Sequence, residues 1–583
     1  MDDACKVSSF CTMGAMMRRR ESAGLSSAAL LLLSAAAAWA SGTPVRARSG
    51  MVVSVQAEAS RIGAAVLRDG GGAVDAAVAT AFALAVVYPV AGNIGGGGFL
   101  LYRPAQGDPI AYDFREAAPA RASATMFLKG GAYDQTVHQD SAWSVGVPGT
   151  VAGLHLAWSD HGKLPWKHLV EPAIRLAQEG FTVSDALARS LKKYLPEMQR
   201  YPASVAQFSK SGVPYPAGDI LRQPDLARTL ERIAESGSEG FYSGETARLI
   251  AAQMETSGGL ITREDLSAYR ARRREPLRGS YRGYGILSMP PPSSGGVALI
   301  EMLNTLEGYD LAGMGFGSAA AVHTIVESMR RAYADRARYL GDPDFNPGLP
   351  IERLISKAYA AELRASIDPE SASGSTLESL EPEAVLESTQ TTHFSVVDAQ
   401  RNAVSLTYTL EDYYGSKIVV AGAGFLLNDE MGDFNPGPGL SDATGRIGTE
   451  PNLAAPGKRM LSSMTPTIVT EGGELLLVIG SPGGRTIINT VLQTILNLID
   501  FGMNVQEAID APRFHHQWLP DRIRYEPWGL SPDTLSLLRS RGHTLYLERD
   551  SIGIAAGIRV NHAEDLLEGA IDHRAPDGAA IGH

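Results

Sequence analysis

Cysteine is scarce in this chain of 583 residues, and its placement excludes most chemistry based on sulfur. The only two cysteines are Cys5 and Cys11, and both stand in an N-terminal segment that we expect to be removed. Disulfides and a thiolate nucleophile are therefore excluded from the mature protein. An oxidising compartment poses no pairing problem for such a chain.

Residues 1–40 are typical of a secretory signal peptide. Arg18-Arg19-Arg20 precede an apolar run from Ala28 to Ala38, and Ala38-Trp39-Ala40 has the small-x-small form of a signal-peptidase site. A membrane anchor is the alternative, but the run is short and rich in alanine. The arginine triplet leaves twin-arginine export open, although the expected apolar residues do not follow it. We expect a periplasmic or secreted protein.

The rest of the chain lacks long apolar runs, basic clusters and cofactor motifs. No stretch of about twenty apolar residues follows residue 40, so no membrane span is predicted after cleavage. The formal net charge is −12, and no lysine and arginine cluster could follow a phosphate backbone, which argues against nucleic acid. Neither HExxH nor Gly-Lys-Ser/Thr occurs. The expectation is an enzyme or binding protein without cofactor or metal.

A predicted hairpin deep inside the chain is its most informative stretch. The pair Thr391-Thr392 opens an alternating run, and after four turn-like residues a second run covers Ala403–Leu410. The register places Thr409 opposite Thr391 or Thr392. Ser405 and Thr407 share one face of the second strand with Thr409. Two hydroxyls would then face each other across the strands.

This pattern suggests that Thr391 is a nucleophile made by self-cleavage. Threonine needs a base to attack a carbonyl, and an N-terminal threonine has one in its own α-amino group. That amine exists only if the Gln390–Thr391 bond is cut. Seen alone, a threonine pair that opens a strand is explained by β propensity.

The segments QTTHFSVVD and VSLTYTL resemble the processing site of the γ-glutamyltranspeptidases (glutathione hydrolases), which are N-terminal-nucleophile hydrolases. The resemblance covers most of the chain after the first fifty residues. It implies an α/β (α+β) fold, the four-layer αββα sandwich built from two autoproteolytic fragments. Residues 41–390 would form the large subunit and residues 391–583 the small subunit, as a heterodimer within one interleaved domain. Helical and strand patterns on both sides of Thr391 are compatible with this.

The family resemblance also implies a mechanism without any cofactor. In the precursor, Thr391 attacks the carbonyl of Gln390. In the mature enzyme it attacks the γ-amide of glutathione or a related compound, and Thr409 positions it. Water, an amino acid or a short peptide then takes the γ-glutamyl group.

A glycine pair between a predicted buried strand and a predicted helix is the candidate oxyanion hole. The strand Leu475–Ile479 is followed by Ser481-Pro482-Gly483-Gly484, and an apolar helix begins near Thr486. Free backbone N–H groups at such a turn bind phosphate or stabilise an oxyanion. A turn that simply needs small residues is the plainer interpretation. The resemblance assigns Gly483 and Gly484 to the oxyanion hole.

Two further motifs match the family's binding site for the α-carboxylate of the substrate. Arg115 lies in the segment DFRE, and Ser462 and Ser463 lie in LSSM. Alone, these are an ordinary ion-pairing arginine and loop serines. A guanidinium binds a carboxylate through two parallel hydrogen bonds, and hydroxyls satisfy its remaining lone pairs.

Three acids match the family's binding site for the α-ammonium group. Glu411 ends TYTLE, where an asparagine is common in the family, and Glu430 and Asp433 lie in NDEMGDF. A solvated acidic loop is the alternative interpretation. Three acids exceed what one ammonium needs, so we expect one of them to be protonated or turned elsewhere, and Glu411 is the least certain.

The stretch from Phe434 to Ser462 has the length of a lid that covers the pocket in some relatives, and Thr444 replaces their gating tyrosine. We expect easier entry of water or bulky acceptors. Three other family signatures are interpreted as structural: residues 93–99, 291–296 and 512–518. The pair His515-His516 in the last of them lacks the acids or cysteines that would complete a metal site.

Three alternatives remain at this point. A cephalosporin (glutaryl) acylase and a poly-γ-glutamate hydrolase share the nucleophile, but a glutaryl group has no ammonium for Glu430 and Asp433 to bind. An extracytoplasmic amino-acid-binding protein would also suit export and a carboxylate site. Such a protein has no reason to break at Gln390.

Overall fold

Two seven-stranded β-sheets form the centre of the structure, a computed structural model that describes residues 42–376 and 391–583. The expected signal peptide and Gln390 lie outside these residues. Within them, no helix has both the length and the apolar character that a membrane crossing requires.

The strands of the two sheets pair antiparallel throughout. In chain order they are β1 Val45–Ala47, β2 Met51–Ser54, β3 Gly97–Arg103, β4 Ile110–Phe114, β5 Arg272–Arg274, β6 Leu277–Tyr281, β7 Tyr284–Ser288, β8 Thr392–Val397, β9 Ala403–Thr409, β10 Thr467–Glu471, β11 Glu474–Gly480, β12 Ala556–Asn561, β13 Leu566–Ile571 and β14 Ala579–Gly582. The first sheet has the order β1-β13-β12-β11-β10-β7-β6, and the second sheet has the order β5-β4-β3-β9-β8-β2-β14.

Helices and short strands make up the remaining regular structure. The helices are α1 Ala57–Arg68, α2 Ala73–Val87, α3 Gln135–Gln139, α4 Thr150–His161, α5 Trp166–Glu179, α6 Asp185–Met198, α7 Pro202–Phe208, α8 Pro224–Ser236, α9 Glu239–Tyr242, α10 Gly244–Ser257, α11 Arg263–Ala268, α12 Gly295–Leu306, α13 Leu311–Met314, α14 Ala319–Tyr339, α15 Ile351–Leu354, α16 Lys357–Ala365, α17 Thr486–Ile499, α18 Val505–Asp510 and α19 Pro532–Ser540. Short 3-10 helices cover Ala142–Ser144, Glu430–Asp433 and Glu450–Asn452. Short strands outside the two sheets are Leu128–Lys129, Ala132–Tyr133, Phe181–Thr182, Ser209–Lys210, Val213–Pro214, Ile220–Leu221, Phe514–His515, Ile523–Tyr525 and Leu545–Leu547.

The two sheets stack on each other, and helices cover both outer faces. One apolar cluster joins α2, α5 and α8 to the outer face of the second sheet, and another joins α12, α14 and α17 to the outer face of the first. A third cluster lies between the sheets and combines residues such as Val53 and Phe99 with Ile468 and Val478. Each sheet therefore buries both faces, and the predicted αββα sandwich is confirmed.

Strands from both sides of Thr391 are interleaved in the second sheet. The hairpin β8–β9 lies between β2 and β3, and the last strand of the chain, β14, pairs with the outer edge of β2. The described residues from Thr43 onward accordingly form one compact unit.

The layer between the sheets is partly polar around the hairpin. Ser395 and Ser405 face each other in the register of β8 and β9. Ser395 Oγ donates to the carbonyl of Ala556 at 3.0 Å, and Ser405 Oγ donates to that of Ile479 at 3.0 Å. Ser405 Oγ also accepts from the Thr467 N–H at 3.2 Å. Buried side-chain hydrogen bonds therefore connect the hairpin to the opposite sheet.

Replacing one of these serines is expected to weaken the junction between the sheets. Ser405→Ala leaves two buried backbone partners without their hydroxyl, which costs about 1–3 kcal/mol of the free energy of unfolding. The denaturation midpoint of the purified protein measures the loss. Ser159→Ala is the matched control, because among the described residues that exposed hydroxyl bonds to His155 O of its own helix and to no other group. Equal midpoints for the two variants would contradict the prediction.

Candidate active site

The hairpin brings the hydroxyls of Thr391 and Thr409 together. Thr392 pairs with Tyr408 in the register of β8 and β9, so Thr391 lies beside Thr409 as predicted. Thr391 Oγ1 donates to Thr409 Oγ1 at 3.3 Å, and both residues are buried.

The alternation along β8 distinguishes Thr391 from its neighbour Thr392. Phe394 and Val396 pack in the apolar cluster on the helix side of the sheet. His393 and Ser395 point the other way, and the His393 ring is hydrogen-bonded to Thr407 Oγ1 at 2.8 Å. Because side chains alternate along a strand, Thr391 shares the inner face with His393. The cavity described below is lined by Thr391 and not by Thr392.

Thr409 is held by the turn that follows its strand. Glu411 has a φ of 81°, in the left-handed region that non-glycine residues seldom adopt. This turn directs the Glu411 N–H back to Thr409 Oγ1 at 2.9 Å. The Thr409 hydroxyl therefore has a fixed position from which it can contact Thr391.

The glycine pair of the Ser-Pro-Gly-Gly motif forms the turn from β11 into α17. Gly483 and Gly484 have φ values of 133° and 54°. A Cβ on Gly483 would lie 2.5 Å from Thr486 Oγ1, so the turn requires glycine. Gly484 lines the same cavity as Thr391, and Gly483 lines an adjoining groove. The N-terminus of α17 thus lies next to the candidate nucleophile, as the sequence predicts.

One cavity of about 20 Å³ brings most of the predicted site residues together. It is lined by Arg115, Thr391, Thr409, Glu411, Glu430, Asp433, Ser462, Ser463, Met464, Gly484, Arg485 and Ile487. Of the predicted residues, Gly483 lines the groove beside it, and Gln390 lies outside the described residues.

Arg115 pairs with the acids of the site. It follows the last residue of β4 and is fully buried. Its Nη1 donates to Glu430 Oε1 and its Nη2 to Asp433 Oδ2. Its Nε donates to the carbonyl of Met460 at 3.3 Å. The guanidinium fork is therefore directed at two carboxylates, and neither Ser462 nor Ser463 contacts it through a hydrogen bond among the described residues.

Burial makes several of these carboxyl groups difficult to ionise. It raises the pKa of Glu411 and of Glu430 well above the ordinary value, and the neighbouring acids add to the effect. Glu116 lies 3.7 Å from Arg115 Nη1, and both of its oxygens are buried without a hydrogen-bond partner among the described residues. Burial raises the pKa of Glu116 to about 8 even though Arg115 opposes the shift. This geometry agrees with the expectation that the site holds more carboxyl groups than one bound ammonium group needs.

Two residues outside the predicted site hold Ser462 and Ser463 through hydrogen bonds. They are Ser294, in the signature at residues 291–296, and Arg336, in helix α14. Ser294 donates both its N–H, at 2.8 Å, and its hydroxyl, at 2.6 Å, to the carbonyl of Ser462. Ser463 Oγ accepts from Arg336 Nη2 at 2.9 Å. Residues 291–296 are interpreted from the sequence as structural, and no sequence pattern indicates Arg336, because an arginine in a charged helix is usually solvated.

The predicted lid contains no aromatic residue near position 444. Thr444 lines a second cavity, of about 60 Å³, and donates its N–H and hydroxyl to Asp442 Oδ1 at 3.0 and 2.6 Å. Phe434 is the one aromatic between residues 434 and 462, and it packs in an apolar cluster with Met431. Tyr133, from outside the lid, lines this cavity instead.

The adjacent histidines make separate contacts. His515 Nδ1 is hydrogen-bonded to Asn489 at 2.7 Å, and His516 Nε2 is hydrogen-bonded to Asp521 at 3.1 Å. Burial lowers the pKa of both rings. Neither histidine lines the cavity of Thr391.

The raised pKa of Glu116 predicts a dependence of stability on pH. A carboxyl whose pKa is higher in the folded protein than in the unfolded chain stabilises the fold at low pH, and the contribution is lost as pH rises toward about 8. We expect the denaturation midpoint to fall between pH 5.5 and about 8 and Glu116→Gln, which cannot ionise, to reduce that fall. An identical pH profile for both proteins would show that Glu116 does not titrate in this range.

Comparison with known proteins identifies the family. The family profile described as gamma-glutamyltranspeptidase matches residues 59–582. A glutathione hydrolase proenzyme of Escherichia coli (strain K12) is 49% identical over 542 residues, which cover 93% of each chain.

Solved structures agree with this result. A cephalosporin acylase from Bacillus halodurans has a TM-score of 0.82 at 28% identity and covers 94% of this chain and 98% of its own. The Helicobacter pylori γ-glutamyltranspeptidase has a TM-score of 0.54 at 44% identity over 57% of this chain and 94% of its own. By sequence over most of its length and by fold, this chain belongs to the γ-glutamyltranspeptidase family.

Proposed function

We propose that this protein is an autoprocessing γ-glutamyltransferase and glutathione hydrolase, with Thr391 as its nucleophile. One observation carries the proposal: the Thr391 hydroxyl lies 3.3 Å from that of Thr409 in a cavity that also contains Arg115 and three carboxyl groups. The substrates are glutathione and related γ-glutamyl amides.

Maturation begins with an attack of Thr391 Oγ1 on the carbonyl carbon of Gln390. The peptide C–N bond breaks, an ester forms between Gln390 and Thr391, and the nitrogen of Thr391 becomes a free amine. Water then hydrolyses the ester and returns the hydroxyl. After export and signal-peptide removal, residues 41–390 and 391–583 form the two subunits of one heterodimer. The contacts of β8 with β2 and of β9 with β3 support lasting association of the cut chains.

Turnover uses the same hydroxyl on the γ-carbonyl of the donor. The α-amine of Thr391 takes the hydroxyl proton and passes it to the leaving amine. Thr409 holds the Thr391 oxygen in place, and the N–H groups of Gly483 and Gly484 stabilise the oxyanion. The γ-glutamyl ester is then transferred to water, an amino acid or a short peptide.

The charged head of the donor fits the polar end of the cavity. One carboxylate oxygen from each of Glu411, Glu430 and Asp433 lies within 4.8 Å of the others. An ammonium group placed there shares these acids with Arg115. The donor's α-carboxylate then faces Arg115 and the hydroxyls of Ser462 and Ser463.

The leaving amine and the acceptor fit the adjoining groove of about 380 Å³. Gly483 and Glu411 line this groove, and Glu411 also lines the cavity of Thr391. The proximity of Gly483 supports an acceptor position beside the proposed oxyanion hole. Tyr194 and Tyr413 stack in the wall of the groove with ring centroids 4.6 Å apart. These rings offer an apolar surface to the side chain of an acceptor.

A cephalosporin (glutaryl) acylase is the second candidate, because a cephalosporin acylase from Bacillus halodurans shares the fold. A glutaryl group carries no ammonium. The convergence of Glu430 and Asp433 on one point favours a donor with an α-ammonium group instead.

Changing the nucleophile is expected to abolish processing. Thr391→Ala removes the attacking oxygen and gives a single inactive chain, whereas Thr391→Ser keeps a hydroxyl and still matures, more slowly. Intact mass and N-terminal sequencing measure the outcome, with Thr392→Ala as the adjacent control whose side chain lies on the other face of β8. Two fragments from Thr391→Ala would remove Thr391 from the mechanism.

Replacing one acid of the proposed ammonium site is expected to slow γ-glutamyl donors selectively. Asp433→Asn removes a charge from the ammonium site, so kcat/KM for γ-glutamyl-p-nitroanilide falls about 10- to 100-fold. Glutaryl-p-nitroanilide, which lacks the ammonium, serves as the internal control and changes little. Faster wild-type turnover of the glutaryl compound than of the γ-glutamyl compound would instead support the acylase assignment.

A further inference from the structure

Arg336 is connected by hydrogen bonds to both serines of the proposed α-carboxylate site. It lies in the last turn of α14 and is buried. Its Nη2 donates to Ser463 Oγ at 2.9 Å, and its Nε donates to Ser294 Oγ at 2.9 Å. Ser294 in turn fixes the carbonyl of Ser462. One guanidinium therefore organises both serines.

Arg336 forms no salt bridge with a carboxylate among the described residues; the charge of Asp433 acts on it, but Asp433 accepts its hydrogen bond from Arg115. The described hydrogen bonds of Arg336 go to hydroxyl groups alone, whereas Arg115 binds two carboxylates. A buried cation without a direct salt bridge is costly, and an incoming anion reduces that cost. A donor with an α-carboxylate supplies such an anion on the cavity side of Ser463.

The hydrogen-bonding pattern of the two serines leaves their hydroxyl protons available to a ligand in the cavity. Ser463 Oγ accepts from Arg336, and Ser462 Oγ accepts from the Met464 N–H at 3.1 Å. Neither hydroxyl donates to another described residue, and both residues line the cavity of Thr391. A hydroxyl that accepts from a guanidinium is a stronger donor than one in water, because hydrogen bonds in a chain polarise one another.

We propose that Arg336 is a positioning residue that sets the requirement for an α-carboxylate in the donor. It polarises Ser463 and supplies the positive charge that Arg115, occupied by Glu430 and Asp433, provides only in part. This inference rests on the proposed γ-glutamyl transfer. Donors of the 4-aminobutyryl type, which keep the amine but lack the carboxylate, are rejected because they leave Arg336 without an anion.

Three anilides that differ in one group each test the proposal on the processed enzyme. γ-Glutamyl-p-nitroanilide carries both charges, 4-aminobutyryl-p-nitroanilide lacks the carboxylate, and glutaryl-p-nitroanilide lacks the ammonium. In Arg336→Gln, the preference for γ-glutamyl over 4-aminobutyryl in kcat/KM is expected to fall about 10- to 100-fold. The preference for γ-glutamyl over glutaryl stays unchanged, because both carry the carboxylate. If one of the anilides is not turned over, the inhibition constant of the corresponding free compound replaces its kcat/KM. These compounds are glutamate, 4-aminobutyrate and glutarate.

Arg338→Gln is the matched control, since it removes the same charge from an exposed position two residues further along the chain. It should leave all three values unchanged. An equal loss for all three compounds in Arg336→Gln, or no change in their ratios, overturns the proposal in favour of a purely structural role.

A second variant keeps the test decisive if Arg336→Gln does not fold or mature. Arg336→Lys retains the charge but cannot bond Ser294 and Ser463 together. We expect a smaller loss of the preference for γ-glutamyl over 4-aminobutyryl. An unchanged preference overturns the proposal. Failure of the proposed function itself is distinguishable, because the processed wild-type enzyme would then not release anilide from the γ-glutamyl compound.

Discussion

The position of β8 and β9 in the middle of the second sheet is the constraint on which the candidate site depends. Strands on both sides and packed layers on both faces fix the hairpin. A residue at the start of β8 therefore has a defined direction, and alternation alone decides that Thr391 and not Thr392 faces the cavity. Thr409, Arg115 and the N-terminus of α17 reach the same point from three other parts of the chain.

Charge is distributed unevenly around that point. Acids outnumber the cation beside Arg115, and burial raises the pKa of Glu116, Glu411 and Glu430. Near the two serines, the second cation, Arg336, donates to the hydroxyl of Ser463. In the proposed binding mode, a zwitterionic donor adds an ammonium beside the acids and a carboxylate beside the serines. Such complementarity favours molecules that carry both charges over those that carry one.

Local patterns in the sequence account for the parts of the site that lie within single hairpins and turns. The register that joins Thr391 to Thr409 and the turn at Gly483 follow from periodicity and from the glycine requirement. The contact between Arg336 and Ser463 does not, because it joins a helix to a loop through the tertiary fold. Glu116 resembles an ordinary ion-pairing acid until its burial is known. The resemblance to a family supplied the remaining residues, and it gave no sign of Arg336.

The interleaving of the two fragments has a consequence for recovery after denaturation. Once the chain is cut at Thr391, the hairpin that fills the centre of the second sheet belongs to a different molecule from the strands on its two sides. The connection that brought them together during folding is then gone. Refolding then requires two separate chains to meet, so recovery falls with dilution once the fragments have come apart.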